Sequence, residues 1–158
     1  MIEASRDRIG LTSTTTADVW DLVESAEALI DGMEVDLVRC QDLLLAGDLL
    51  HDWYDDWVSL EQDQVRELRV HALEVLSERL ITRGTFARAT QTALAAIQLD
   101  PLRESAHRAL IHAYMAEGNR SSALVHYQRL RQLLLDELGI EPSVSIQNLA
   151  STLAIPGA

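Results

Sequence analysis

Five histidines and 25 carboxylates are the side chains in this 158-residue chain that could ligate a metal or move a proton. Two ligands on one helical face need a spacing of three or four residues, and His107 and His112 stand five apart. His51, Asp52, Asp55 and Asp56 gather donors for a hard cation. They lack the glycine-turned loop and the terminal bidentate glutamate of a calcium site. No Ser-His-acid order, Gly-rich phosphate loop or cysteine cluster accompanies them. The single cysteine, Cys40, cannot close an internal disulfide and reads as a small buried side chain. The sequence therefore assigns no catalytic residue, no metal ligand and no cofactor. The expected activity is contact with another macromolecule rather than chemistry.

The charge says which kind. The formal net charge is −12, and every basic side chain is arginine. Residues 1–79 hold 19 Asp/Glu against 6 Arg, whereas residues 80–158 hold 6 against 7. A surface this acidic repels phosphate backbones, and the basic stripe of a DNA reader is missing, so protein partners are expected. No apolar run approaches the roughly 18 residues of a membrane span. One cysteine and no secretory signal fit a reducing cytoplasm.

Side chains of this kind need a scaffold, and the periodicity supplies it. Residues 1–16 alternate at Ile9 and Leu11 and then run into threonines, which predicts one β-strand and a linker. A lone strand cannot pair its edge, so this segment is expected to be the remnant of a domain lying upstream. From residue 17 the pattern is helical. Val19, Leu22, Val23, Ala26, Leu29 and Ile30 define a first helix, and Val35 to Leu45 a second. A long third helix is expected from near Asp55 to just before Gly84.

The remainder repeats. Leu76, Gly84 and Ala89 recur as Leu110, Gly118 and Ala123, each 34 residues later. That is the interval of tetratricopeptide helix pairs: large residues in the first helix, glycine at the turn, small alanine where the helices touch. Two units are expected, at about 70–100 and 104–138. Gly139 and Pro142 stop the last long helix, and Ser143 is placed to cap a closing helix over about 143–153 that covers the final apolar face. The predicted fold is all-α, a tetratricopeptide-like stack of antiparallel helix pairs with a C-terminal capping helix.

In such stacks the first helix of each pair lines the concave face. This places His71, Glu74, Glu78 and Ile81 beside Ser105, Arg108, His112 and Met115 as a candidate partner groove for a charged peptide or helix. Trp53, Tyr54 and Trp57 form a candidate aromatic contact, with packing between the early helices and the first unit as the alternative role. Trp20 reads as a core or interdomain side chain. Asp18, Asp21, Glu24, Glu27 and Asp31 make the first helix acidic, a solvated face or a steering surface for a basic partner.

These residues also carry a resemblance. The stretch "DPLRESAHRALIHAYMAEGNRSSALVHYQRLRQLLLDELGIEPS" resembles the signature of the bacterial transcriptional activator domain, and "WYDDWVSLEQDQVRELRVHALEVLSERL" is similar to its earlier helices. The likeness runs from about Asp18 to Leu153. It rests on the combination of "LRE…H", "G…AL…Y" and "LGIEPS". The resemblance implies a regulator of the actinobacterial antibiotic-regulatory type. There a winged-helix DNA-binding domain precedes the helical domain, and "SRDRIGLTSTTTADVW" looks like its last strand and linker. It implies activation of transcription through protein contacts, with RNA polymerase or a sigma factor as suspected partner and a homodimer as an option. DNA would be read only through the upstream domain. Two other roles suit the same helices: a peptide-binding scaffold in a larger signalling protein, and a small-molecule sensor.

Overall fold

The computed structural model describes residues 2–5, 8–11, 18–46 and 56–154. Two short strands, β1 (Ile2–Ser5) and β2 (Arg8–Leu11), pair antiparallel with Ile2 opposite Leu11 and Ser5 opposite Arg8. The single strand expected over this segment is thus a hairpin. β2 coincides with the Ile9–Leu11 alternation, whereas β1 is only four residues long and carries too few apolar residues to declare a period.

Seven helices make the body among the described residues: α1 (Asp18–Ile30), α2 (Leu37–Leu44), α3 (Asp56–Thr82), α4 (Phe86–Leu99), α5 (Glu104–Glu117), α6 (Arg120–Leu138) and α7 (Val144–Ala154). The long helix, the two hairpins and the closing helix all lie where the periodicity puts them. Successive helices pack in chain order from α3 to α7, and α3 also reaches α5, as first helices do in a tetratricopeptide stack. The α1–α2 pair leans on α3.

The 34-residue equivalence is structural. Gly84 and Gly118 both end their helices at positive φ, 74° and 85°. At the second turn the amide of Asn119 returns to the carbonyl of Tyr114, and at the first Thr85 returns to Leu80. Both follow the six-to-one pattern that closes a helix at a left-handed residue. Asn119 then caps α6 through its side chain, which accepts from the amide of Ser122. Ala89 and Ala123 are fully buried at the equivalent contacts. Ala93 and Ala96 on α4, and Ala106, Ala109 and Ala113 on α5, extend two rows of small side chains along which the helices approach closely. Between α3 and α4, Ser77 Oγ donates to the carbonyl of Ala89 over 3.0 Å.

The main core joins Leu22, Leu29, Leu37 and Leu44 of the first pair to Leu73, Leu76 and Leu80 of α3. Cys40 is buried, as expected for a small apolar side chain. The one polar bridge between α2 and α4 is satisfied: buried Gln41 donates to Thr92 Oγ1 at 2.9 Å, and Thr92 donates to the Arg88 carbonyl. Arginines close three helix C-termini, where orphan carbonyls and the helix dipole both favour a cation. Arg79 donates to the carbonyls of Leu29 and Met33 after α1, and Arg69 to those of Leu44 and Ala46 after α2. Arg120 donates to Leu153 at the end of α7. α7 covers the last hairpin as a cap should, with Ile146 against Leu130 and Leu134, and Leu153 against Ile111 and Ala123. The backbone amide of Ser143 donates to the Glu104 carboxylate at 2.7 Å, holding the start of α7 to the start of α5.

Candidate functional site

The α3 and α5 helices carry every member of the candidate groove, and their mutual packing brings part of the set together. Its centre is a residue outside that set. Arg103, at the N-cap of α5, extends Nε to Glu74 Oε1 at 2.9 Å and one terminal nitrogen to Glu67 Oε2 at 2.8 Å. Ser105 Oγ donates to the same Glu74 oxygen at 2.6 Å. Glu74 is 14% exposed and Arg103 26%, so this network is sheltered enough to order the two helices relative to each other.

One turn and more further along, Glu78, Arg108 and His112 form a second group. Burial lowers the pKa of the His112 imidazole, the Arg108 charge lowers it further, and Glu78 opposes both. At neutral pH the ring is therefore held uncharged between an acid and a base. His71 and Glu78 are exposed, and Arg108 and His112 half-buried. Met115 and Ile81 are drawn elsewhere: Met115 packs against Ile111, Ala123 and Leu153, and Ile81 against the main core. What remains is a face with a hydrogen-bonded end at Arg103, Glu67 and Glu74 and an open polar end at His71, Glu78, Arg108 and His112.

The aromatic candidates Trp53 and Tyr54 lie outside the described residues, as do His51, Asp52 and Asp55. Trp57 falls within the first turn of α3, with its side chain also outside them. Trp20 is 53% exposed on α1, so it is no core residue of this helical body. The acids Glu24 and Glu27 of α1 and Asp31 just after it are exposed, and Asp21 is tied to Arg39 at 3.4 Å. Among the described residues no three His, Cys, Asp or Glu side chains converge, and no helix is long and apolar enough to cross a membrane.

Two features escaped the sequence. Arg103 sits in "DPLRESAH" directly before α5, where an arginine reads as a solvated loop residue unless the distance to α3 is known. His126 meets His107 across the α5–α6 hairpin with nitrogens 2.9 Å apart. The two are 19 residues apart, a separation no local spacing rule covers.

A stack of antiparallel helix pairs with a polar face on its first helices defines a tetratricopeptide-like helical domain. The particular family follows from comparison: residues 21–154 match the bacterial transcriptional activator domain, and the chain belongs to that family. It is similar to the regulatory protein AfsR of Streptomyces coelicolor, 29% identical over 140 residues that cover 73% of this chain and 14% of that protein. It is also 29% identical over 153 residues to the regulatory protein DnrI of Streptomyces peucetius, covering 90% of this chain and 56% of DnrI. AfsR of Streptomyces griseus is 26% identical over 151 residues, 90% of this chain and 15% of that protein. The chain thus spans about half of one relative and about a seventh of the others. The family is that of a transcriptional activator domain, and these relatives are regulatory proteins.

Proposed function

We propose that this chain is the regulatory protein-contact module of a transcription activator, and that the α3–α5 face is the surface through which it engages a protein of the transcription machinery. DNA reading belongs to a separate winged-helix domain of the same regulator. The net charge of −12 and the absence of a basic stripe support that division. The observation that carries the reading is the Arg103 network. It orders two first helices against each other and leaves Glu78, Arg108 and His112 presented beside it. Ordered side chains lose little entropy on docking, which is what a recognition face requires.

RNA polymerase holoenzyme is the partner to test. Binding of the purified domain to immobilised holoenzyme should weaken at least tenfold in Arg108→Glu while helix content stays unchanged. Affinity should also fall between low and physiological salt, since charged rims are screened over about 10 Å. Equal binding by the wild type and Arg108→Glu removes this face from the contact.

A further inference from the structure

The α5–α6 hairpin closes over two imidazoles. His107 is only 4% exposed. Its Nε2 lies 2.8 Å from the carbonyl of Pro101, in the turn between α4 and α5, and its Nδ1 lies 2.9 Å from Nε2 of His126 on α6. The rings are within 22° of parallel with centroids 5.0 Å apart. That is the spacing of imidazoles joined edge to edge by an N–H···N bond, not of rings lying face on face. The ring of Tyr114 stands edge-on to His126 at 6.5 Å.

The tautomers follow from the partners. A carbonyl only accepts, so Nε2 of His107 carries a hydrogen and, in the neutral ring, Nδ1 is bare. Nε2 of His126 must then be the donor. Donation runs in one direction, from His126 to His107 to Pro101. One added proton leaves both bonds intact: it enters at the outer Nδ1 of His126, and the bridging proton can then pass to His107, which carries the charge. A second has only the His107 Nδ1 to occupy, and it would set two N–H groups head to head at 2.9 Å.

What this pair fastens to α5 is the second helix of its own hairpin and, through it, the capping helix. α6 and α7 hold each other through Ile146 on Leu130 and Leu134 and through Arg120 on the end of α7. They are attached to α5 through the His pair, through the cluster of Ile111 with Ala123 and Leu153 against which Tyr114, Met115, Tyr127 and Leu149 pack, and through the Ser143–Glu104 bond, while Leu102 of the α4–α5 turn packs on Leu130, Leu134 and Ile146.

We propose that His107 and His126 form a proton-counting latch: the α6–α7 cap stays seated on α5 while the pair holds at most one extra proton, and is released as a unit when it is driven to hold two.

The surroundings set the direction. On His107, burial opposes charge, while Asp100 and Glu104 favour it. On His126, burial, the His107 charge and Arg129 all oppose protonation, and its pKa is pushed down to about 4. α7 carries no ionisable side chain, the only ionisable side chain of α4 is Arg88 near its start, and Glu67 and Glu74 of α3 are engaged by Arg103. A histidine whose folded pKa lies below its unfolded value of about 6.5 contributes stability above that value and loses it as pH falls. The latch therefore weakens between about pH 6.5 and 4.

The test is the unfolding free energy of the wild type and His126→Gln from pH 7.5 to 4.5, together with amide protection by helix. Glutamine keeps a donor for His107 but takes up no proton. The wild-type folding constant should fall at least about tenfold further than that of the variant across this range. Wild-type α6 and α7 amides should lose protection before those of α3 and α4. Nitrogen-15 imidazole spectra of the unmutated chain serve even if the variant fails to fold. They should show His107 as the Nε2–H tautomer at pH 7, with neither ring titrating near 6.5. Identical pH profiles for the two chains, loss of protection uniform over all helices, or two independent titrations near 6.5 would each overturn the latch.

Discussion

Arg103 reaches from the first residue before α5 to Glu74 in the middle of α3, Nε to Oε1 at 2.9 Å, and so ties the two repeat units together at their first helices. The bond is half of a fork, since the other arm of the guanidinium holds Glu67. A lysine could not span both carboxylates with one planar group. Arg103→Lys should therefore destabilise the fold by about 1 kcal/mol, and Arg103→Met by about 1–3 kcal/mol, because Glu74 loses a charged partner while 14% exposed. A double-mutant cycle with Glu74→Gln measured by urea unfolding should return a coupling of about 0.5–2 kcal/mol. Additive effects would mean that the Arg103–Glu74 bond does not hold the two helices together.

The arginines that close α1 and α2 act elsewhere on α3, fixing the leading pair to it. Arg79 donates to two carbonyls 46 and 50 residues away in sequence, and Arg69, 6% exposed, to two that are 25 and 23 residues away. Arg69→Met should cost more than Arg79→Met, about 2–4 against about 1–2 kcal/mol, since Arg69 is itself buried and one of its carbonyls, that of Leu44, belongs to a core residue. Thermal melts followed by circular dichroism would rank them.

The turns between paired helices offer a cleaner test of the repeat. At both Gly84 and Gly118 an added Cβ meets nothing within 4 Å, so Gly→Ala there probes only the positive φ. Each should cost about 1 kcal/mol, and the two costs should agree, because 34 residues separate equivalent positions. A much larger value at one turn would show that the two units differ.

Ala89→Leu and Ala123→Leu test the close approach that follows each turn. Both positions are at zero exposure, and added bulk must push the paired helices apart at a cost of about 1–3 kcal/mol. Reduced unfolding midpoints in denaturant, with unchanged slope, are the expected signature.

These sites also show how far the residues alone carry the reader. Glycine and alanine at a fixed interval announce the helix pairs, because turn and close contact are local demands met by one residue type each. Capping by Pro142 and Gly139 is equally local. The face is harder. Its membership follows from helical periodicity, but its chemistry depends on where α5 lies across α3. That placement turns Arg103 from a loop residue into the hub, and sends Met115 to the cap instead of the groove. The His107–His126 contact is set by the offset of one helix along another, which no spacing encodes. The β1 strand escaped for the opposite reason: four residues are too few to show alternation.

Hydrogen–deuterium exchange of the domain with and without RNA polymerase holoenzyme tests the proposed role most directly. The α3–α5 face should gain protection around Glu78, Arg108 and His112, with the outer faces of α4 and α6 unchanged. Protection confined to other helices, or none at saturating polymerase, would contradict the assignment of this face as the contact.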